Sequence, residues 1–133
     1  FVYQSNNLFD DFTAKENVAL PLLLSGVTKK LAFKKSEHCL AQFDLSTRCN
    51  HIPKDLSAGE QQRVAIARAI ISKPNIIIAD EPTGNLDIDT ARSVFDYFMR
   101  YTEENNCAVI MATHNDELAK LANKKIMIGI NDE

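Results

Sequence analysis

Two acidic side chains, Asp80 and Glu81, follow directly on the apolar run Ile76-Ile77-Ile78-Ala79 and precede a Pro82-Thr83-Gly84-Asn85 turn. A run so short, β-branched and continuously apolar reads as a strand buried on both faces, with the carboxylates at its carboxyl end. Two other segments finish in the same way: Phe1-Val2-Tyr3 gives way to Gln4, and a second buried strand, Ala108-Val109-Ile110-Met111-Ala112, leads to Thr113 and His114. Ligands of open parallel sheets bind beyond the carboxyl ends of the strands, so Gln4, Asp80, Glu81 and His114 are expected along one edge. Phosphoryl transfer takes a metal-anchoring carboxylate, a group that holds or deprotonates the attacking water, and a sensor of the terminal phosphate. Asp80 suits Mg2+, because a hard cation favours carboxylate oxygen. Glu81, one residue further on, suits the water. Taken singly, an Asp-Glu pair is an ordinary polar turn and a strand-end histidine an ordinary structural residue; the functional reading rests on their company.

A second constellation opens at Leu56-Ser57-Ala58-Gly59-Glu60. Ser57 and Glu60 have the spacing of a capping box, which closes a helix start while leaving amides and the positive end of the helix dipole exposed. Such an end accepts anions, and Gly59 would let a phosphate approach the backbone. Capping alone would equally give a helix with no ligand.

The elements that must position these residues follow from periodicity and punctuation. Thr13 and Glu16 form another capping box, predicting a helix over 14–24 with a kink at Pro21. A second helix is read within 28–45 and a third over 57–71, stopped by Pro74. A fourth begins near Asp87, with the stripe Ile88, Ala91, Phe95, Phe98 and Thr102 and with Met99 alongside. A short helix over 116–122 and a last strand, Ile126-Met127-Ile128, complete the order. Alternation of strand and helix predicts an α/β fold with a parallel sheet and right-handed crossovers.

The 133 residues, 45% hydrophobic and 25% charged, fit one globular domain. A formal charge of −3 argues against a nucleic-acid partner held by counterion release. Lys29, Lys30, Lys34 and Lys35 read as a solvated helix face, with a membrane-proximal or partner-facing patch as the alternative. The longest apolar stretch, Val18 to Leu24, is far short of the ~20 residues that span a bilayer. With no leader pattern at its start, a cytosolic location is the expectation. Cys39, Cys49 and Cys107 lie in no metal or redox spacing, so buried, reduced thiols are expected. No Gly-x-x-x-x-Gly-Lys-Ser/Thr loop occurs in the 133 residues.

Taken together, Gln4, Leu56 to Arg63, Ile76 to Glu81, Gly84 to Asp87 and His114 resemble, in order and spacing, the nucleotide-binding subunit of ATP-binding cassette (ABC) transporters. Phe1 to Gln4, Phe12 to Pro21 and Ala79 to Asp87 look most like its lipoprotein-releasing and macrolide-exporter branch. The resemblance implies a P-loop NTPase-like parallel sheet, incomplete at its amino end, with a helical subdomain over 5–55 and a signature helix and remaining catalytic core over 56–133. It implies ATP and Mg2+ as ligands, integral-membrane permease subunits and a second, head-to-tail ATP-binding subunit as partners, and a cytoplasmic position on the inner face of the membrane. By it, Gln4 contacts Mg2+ and water and reports to the permease. Ser57, Ala58, Gly59 and Glu60 cap the nucleotide of the opposite subunit, and Asp87 crosses the dimer. Asp80 holds Mg2+, Glu81 is the catalytic glutamate, and His114 faces the γ-phosphate. Ala58 departs from the family's usual Leu-Ser-Gly-Gly, adding a methyl group near the phosphate approach. The phosphate loop, its lysine and an adenine-stacking aromatic are expected upstream of Phe1, so no ATP turnover is expected of the 133 residues alone. Two alternatives stand beside this reading: a non-catalytic remnant that binds a permease, and a soluble ABC ATPase with no membrane partner.

Overall fold

The computed structural model describes residues 1–127. Two strands, β1 (Ile76–Asp80) and β2 (Ala108–Ala112), pair in parallel with Ile76 opposite Ala108 and Asp80 opposite Ala112. Val2 extends this ladder on the other edge of β1, forming a parallel bridge with Ala79. Its N–H donates to the Ile78 carbonyl at 2.9 Å, and its carbonyl accepts from the Asp80 N–H at 2.8 Å. Three chain segments therefore run the same way, and Gln4, Glu81 and Thr113 all emerge at one edge.

Among the described residues five α-helices pack around one face of the ladder and its ends. Helix α1 (Ala14–Leu24) starts at the expected capping box of Thr13 and Glu16 and continues through Pro21. Helix α2 (Lys29–Gln42) is tied to it where the buried Ser36 hydroxyl donates to the Lys15 carbonyl at 3.1 Å. Helix α3 (Ala58–Ile70) starts at the capping box of Ser57 and Glu60. Helix α4 (Ile88–Asn105) makes the long connection that parallel strands require, and stops where Asn106 enters the left-handed region at φ 49°. Helix α5 (Asp116–Ala119) is capped by Asn115 and ends three residues earlier than its predicted limit. One apolar core joins Val18, Leu40 and Leu45 to Val64, Ile66, Ile77, Val94 and Phe98, so α1 and α2 share their interior with the strands.

Buried Asn17 is the polar residue that fixes the entry to α1. Its Oδ1 accepts from the Phe9 N–H at 2.9 Å, and its Nδ2 donates to the Phe9 and Phe12 carbonyls at 3.1 and 3.0 Å. A side chain with donor and acceptor ends can satisfy several loop groups at once, which an apolar residue at that position could not do.

Three expectations are corrected. The β1 run is buried on one face only: Ile77 and Ala79 point into the core, whereas Ile78 is 41% and Ile110 on β2 60% exposed. Among the described residues the helices leave that second face open. The buried stripe of α4 is Ala91, Val94, Phe95, Tyr97 and Phe98; Ile88, in the first turn and beyond the edge of the core, is 73% exposed. Ile126 and Met127 form no strand with the described residues and are largely exposed, and Ile128 lies outside the described residues. All three cysteines are free and buried, and burial pushes the Cys39 thiol up to about 12. No helix among the described residues is long and apolar enough to cross a membrane.

Candidate functional site

The turn after β1 decides where the acidic pair points. Glu81 has φ 43°, a left-handed conformation that a residue with a Cβ adopts at a cost of roughly 1–3 kcal/mol. Its N–H is held by the Ala112 carbonyl at 2.9 Å, and its own carbonyl accepts from the Gly84 N–H at 3.0 Å. The backbone thus reverses direction between Asp80 and Gly84, and the Glu81 side chain is swung across to the end of β2. There Oε1 accepts from the His114 N–H at 2.6 Å and lies 2.7 Å from His114 Nδ1, while the Thr113 hydroxyl is 3.3 Å from Oε2.

With the carboxylate oxygen as acceptor, Nδ1 is the donor of this contact, and among the described residues no hydrogen bond takes Nε2. The His114 side chain is 80% exposed against 18% for Glu81: one group is anchored and the other reaches outward.

Gln4 arrives on the opposite side of the same turn. Its Nε2 is 3.4 Å from Asn85 Oδ1, and a Cβ built on Gly84 would stand 3.1 Å from Gln4 Nε2 and 3.5 Å from Glu81 Cβ. Gly84 therefore lets Gln4 and Glu81 close on one small volume. Among the described residues no hydrogen bond occupies the Asp80 carboxylate, which stands exposed at the end of β1.

The Asp80 carboxylate and Gln4 Oε1, which accepts no hydrogen bond among the described residues, are hard oxygen donors, the kind that Mg2+ takes when it keeps several waters and binds substrate phosphate. No group of three or more His, Cys, Asp or Glu side chains arranged for a metal exists among the described residues. Two protein oxygens fit Mg2+ used in that way, and do not fit a closed structural metal site.

The start of α3 borders the same surface from the other side. Ser57 Oγ accepts from the Glu60 N–H at 3.2 Å, and Glu60 Oε2 accepts from the Ser57 N–H at 2.8 Å. Arg48 Nε donates to Glu60 Oε1 at 2.9 Å. These bonds, the Ser57 N–H foremost and Arg48 after it, hold the Glu60 carboxyl below its usual range. Ala58 is exposed in the first turn and lines a cleft of about 350 Å³ together with Gln4, Asn6, Gln61 and Asn85.

Gly59 is buried against Thr90 in the first turn of α4. Asp87 caps that same turn, Oδ1 accepting from the Thr90 N–H at 3.0 Å and Oδ2 from the Thr90 hydroxyl at 2.6 Å. The Thr90 hydroxyl and then its N–H depress the Asp87 carboxyl.

The structure thus brings Gln4, Asp80, Glu81 and His114 to one edge, and places Ser57, Ala58, Gly59, Glu60 and Asp87 on the neighbouring helix starts. Among the described residues no hydrogen bond joins the second group to the first. Sequence reasoning missed Asn85, Thr113, Arg48 and Thr90. Asn85 and Thr113 were within reach, as polar residues beside the chosen ones; Arg48 and Thr90 bond to site residues through tertiary and capping geometry that spacing alone does not reveal.

An ABC transporter family model matches residues 1–84. The chain is 51% identical over 124 residues to the lipoprotein-releasing system ATP-binding protein LolD of Rickettsia felis, covering 93% of the chain and 56% of that protein. It is 48% identical over 128 residues to LolD of Gluconobacter oxydans, covering 96% of the chain and 55% of that protein. The chain spans about half the length of the curated relatives it matches. Its structure superposes with a TM-score of 0.79 on a dimeric, post-hydrolysis state of the ATP-binding cassette MJ0796 bound to ADP and Pi, at 39% identity, covering 90% of this chain and 53% of that one. A second dimeric structure of MJ0796, described as a bacterial ABC transporter cassette, gives 0.76 at the same identity and coverage. Motif order, sheet edge and relatives agree: the chain belongs to the ABC transporter family and has its α/β, P-loop NTPase fold.

Proposed function

We propose that this chain is part of the ATP-hydrolysing subunit of an ABC transporter that drives lipoprotein release or a related export reaction. The observation that carries the proposal is the convergence of Gln4, Asp80, Glu81 and His114 on one sheet edge, with Glu81 Oε1 held by two groups of His114. In this reading water attacks the γ-phosphorus of ATP, its proton passes to the Glu81 carboxylate, and the bond to ADP breaks to release inorganic phosphate. His114 keeps the Glu81 carboxylate oriented and presents Nε2 to the γ-phosphate. Asp80 and Gln4 would hold Mg2+, which would supply positive charge to neutralise the phosphates.

Ser57, Ala58, Gly59 and Glu60 offer the positive end of α3 to the nucleotide of a second, head-to-tail subunit, and Asp87 reaches across that dimer. Residues 5–55 form a helical subdomain against integral-membrane permease subunits, and 56–133 belong to the catalytic core. The subunit works in the cytoplasm, on the inner face of the membrane. The similarity to LolD supports the lipoprotein branch, and the dimeric MJ0796 structures support the paired arrangement.

Affinity purification of the native protein from its own membranes tests the transporter reading. Recovery with permease subunits is expected; recovery only with ribosomes or nucleic acid would overturn it.

A further inference from the structure

Gly59 and Asp87 lie on different elements, yet both touch one residue, Thr90. A Cβ added at Gly59 would collide with Thr90 Cγ2, and the next nearest atom it would meet, Thr90 Cβ, is at an ordinary contact distance of 3.8 Å. The threonine cannot simply turn aside. It is β-branched and in the first turn of a helix, where its χ1 is restricted. Its hydroxyl also donates to Asp87 Oδ2 at 2.6 Å, and its N–H to Asp87 Oδ1 at 3.0 Å. The same side chain thus uses its methyl group against the start of α3 and its hydroxyl to hold the residue that starts α4.

We propose that Thr90 is a positioning residue that ties Gly59 to Asp87, so that the start of the signature helix and the turn after the acidic pair move as one unit. Position 59 must then be glycine for a reason internal to the chain. A methyl group there displaces the Thr90 side chain and breaks its hydroxyl bond to Asp87, whatever is bound. The proposal rests on the ATPase reading only for the consequence that turnover falls, since Asp87 is assigned there to the dimer crossing.

The test is a cycle in the intact protein with Gly59→Ala, Thr90→Ser, the double variant, and Thr90→Val. The first readout, carbon NMR of the Asp87 carboxyl, is independent of activity. Gly59→Ala and Thr90→Val are expected to raise the Asp87 titration toward its ordinary range, because each removes the hydroxyl bond. Thr90→Ser, alone or combined with Gly59→Ala, is expected to keep it low, because serine retains the hydroxyl and vacates the methyl's space. The second readout is ATP turnover. Gly59→Ala is expected to lower it by about tenfold or more, the scale of an overpacked contact. Adding Thr90→Ser is expected to restore it to within about twofold of Thr90→Ser alone.

A Gly59→Ala defect that Thr90→Ser fails to rescue in both readouts would overturn the proposal, as would an Asp87 titration unmoved by Thr90→Val. If Gly59→Ala does not fold, the Thr90→Val titration decides. If the wild-type protein turns over no ATP, the proposed function fails, and the titration cycle still supports or overturns the tie.

Discussion

Glu81 Oε1 and His114 face each other across the ends of adjacent parallel strands, 2.7 Å from imidazole Nδ1 and 2.6 Å from the main-chain nitrogen of the same residue. Removing the imidazole leaves the backbone bond and the Thr113 hydroxyl contact in place but takes away the side-chain contact that holds the carboxylate toward the exposed edge. His114→Ala is therefore expected to lower kcat by about a hundredfold or more, with the KM for ATP changed only a few-fold. Steady-state kinetics of the assembled protein check this split. A rise in KM with kcat unchanged would assign His114 to binding alone.

The start of α3 carries a pH dependence with a definite sign. The Glu60 carboxyl is held below its usual range, first by the Ser57 N–H and then by Arg48. A depressed carboxyl stabilises the fold above its unfolded value of about 4.3, and that contribution is lost as pH falls through the folded value. Glu60→Gln should flatten the acid limb of a stability profile and leave its slope above about pH 6 unchanged. Ser57→Ala should cost about 1 kcal/mol near neutrality, as loss of a helix cap usually does. Denaturant titrations across pH measure both.

The open face of the sheet makes a third prediction. Phe1, Tyr3, Ile76, Ile78 and Ile110 are exposed together, and Phe1 and Tyr3 stack with ring centroids 5.1 Å apart. β2 pairs only with β1 among the described residues, leaving the far edge of its ladder unpaired. A polypeptide of these 133 residues should therefore self-associate with concentration, and Ile78→Lys with Ile110→Lys should suppress it. Sedimentation velocity over a concentration series gives the answer.

Much of this arrangement was legible before the fold was known, and the reasons are local. Thr13 with Glu16 and Ser57 with Glu60 announce helix starts because a hydroxyl and a carboxylate at that spacing satisfy orphan amides, and both boxes form. The β2 run, Ala108 to Ala112, keeps its predicted limits because apolar β-branched residues sit between polar punctuation. The exposed face of β1 was not legible, since four successive apolar residues look the same whether one face or two is covered. Ile88 entered the predicted stripe because periodicity says nothing about where a core ends. Gln4, Asp80, Glu81 and His114 could be brought together from topology. The left-handed turn at Glu81 that aims its carboxylate at His114, and the seat of Thr90 on Gly59, depend on contacts over 33 and 31 positions of sequence.

Glu81→Gln in the protein assembled with its permease tests the central claim most directly. Glutamine keeps the size of the side chain and cannot take the proton, so the variant should bind ATP, hold the nucleotide-bound dimer and lose turnover by about a hundredfold or more. Single-turnover hydrolysis and nucleotide retention measured on one preparation would show both. Turnover at the wild-type rate would contradict the assignment of Glu81 and, with it, the reading of this sheet edge as the site of ATP hydrolysis.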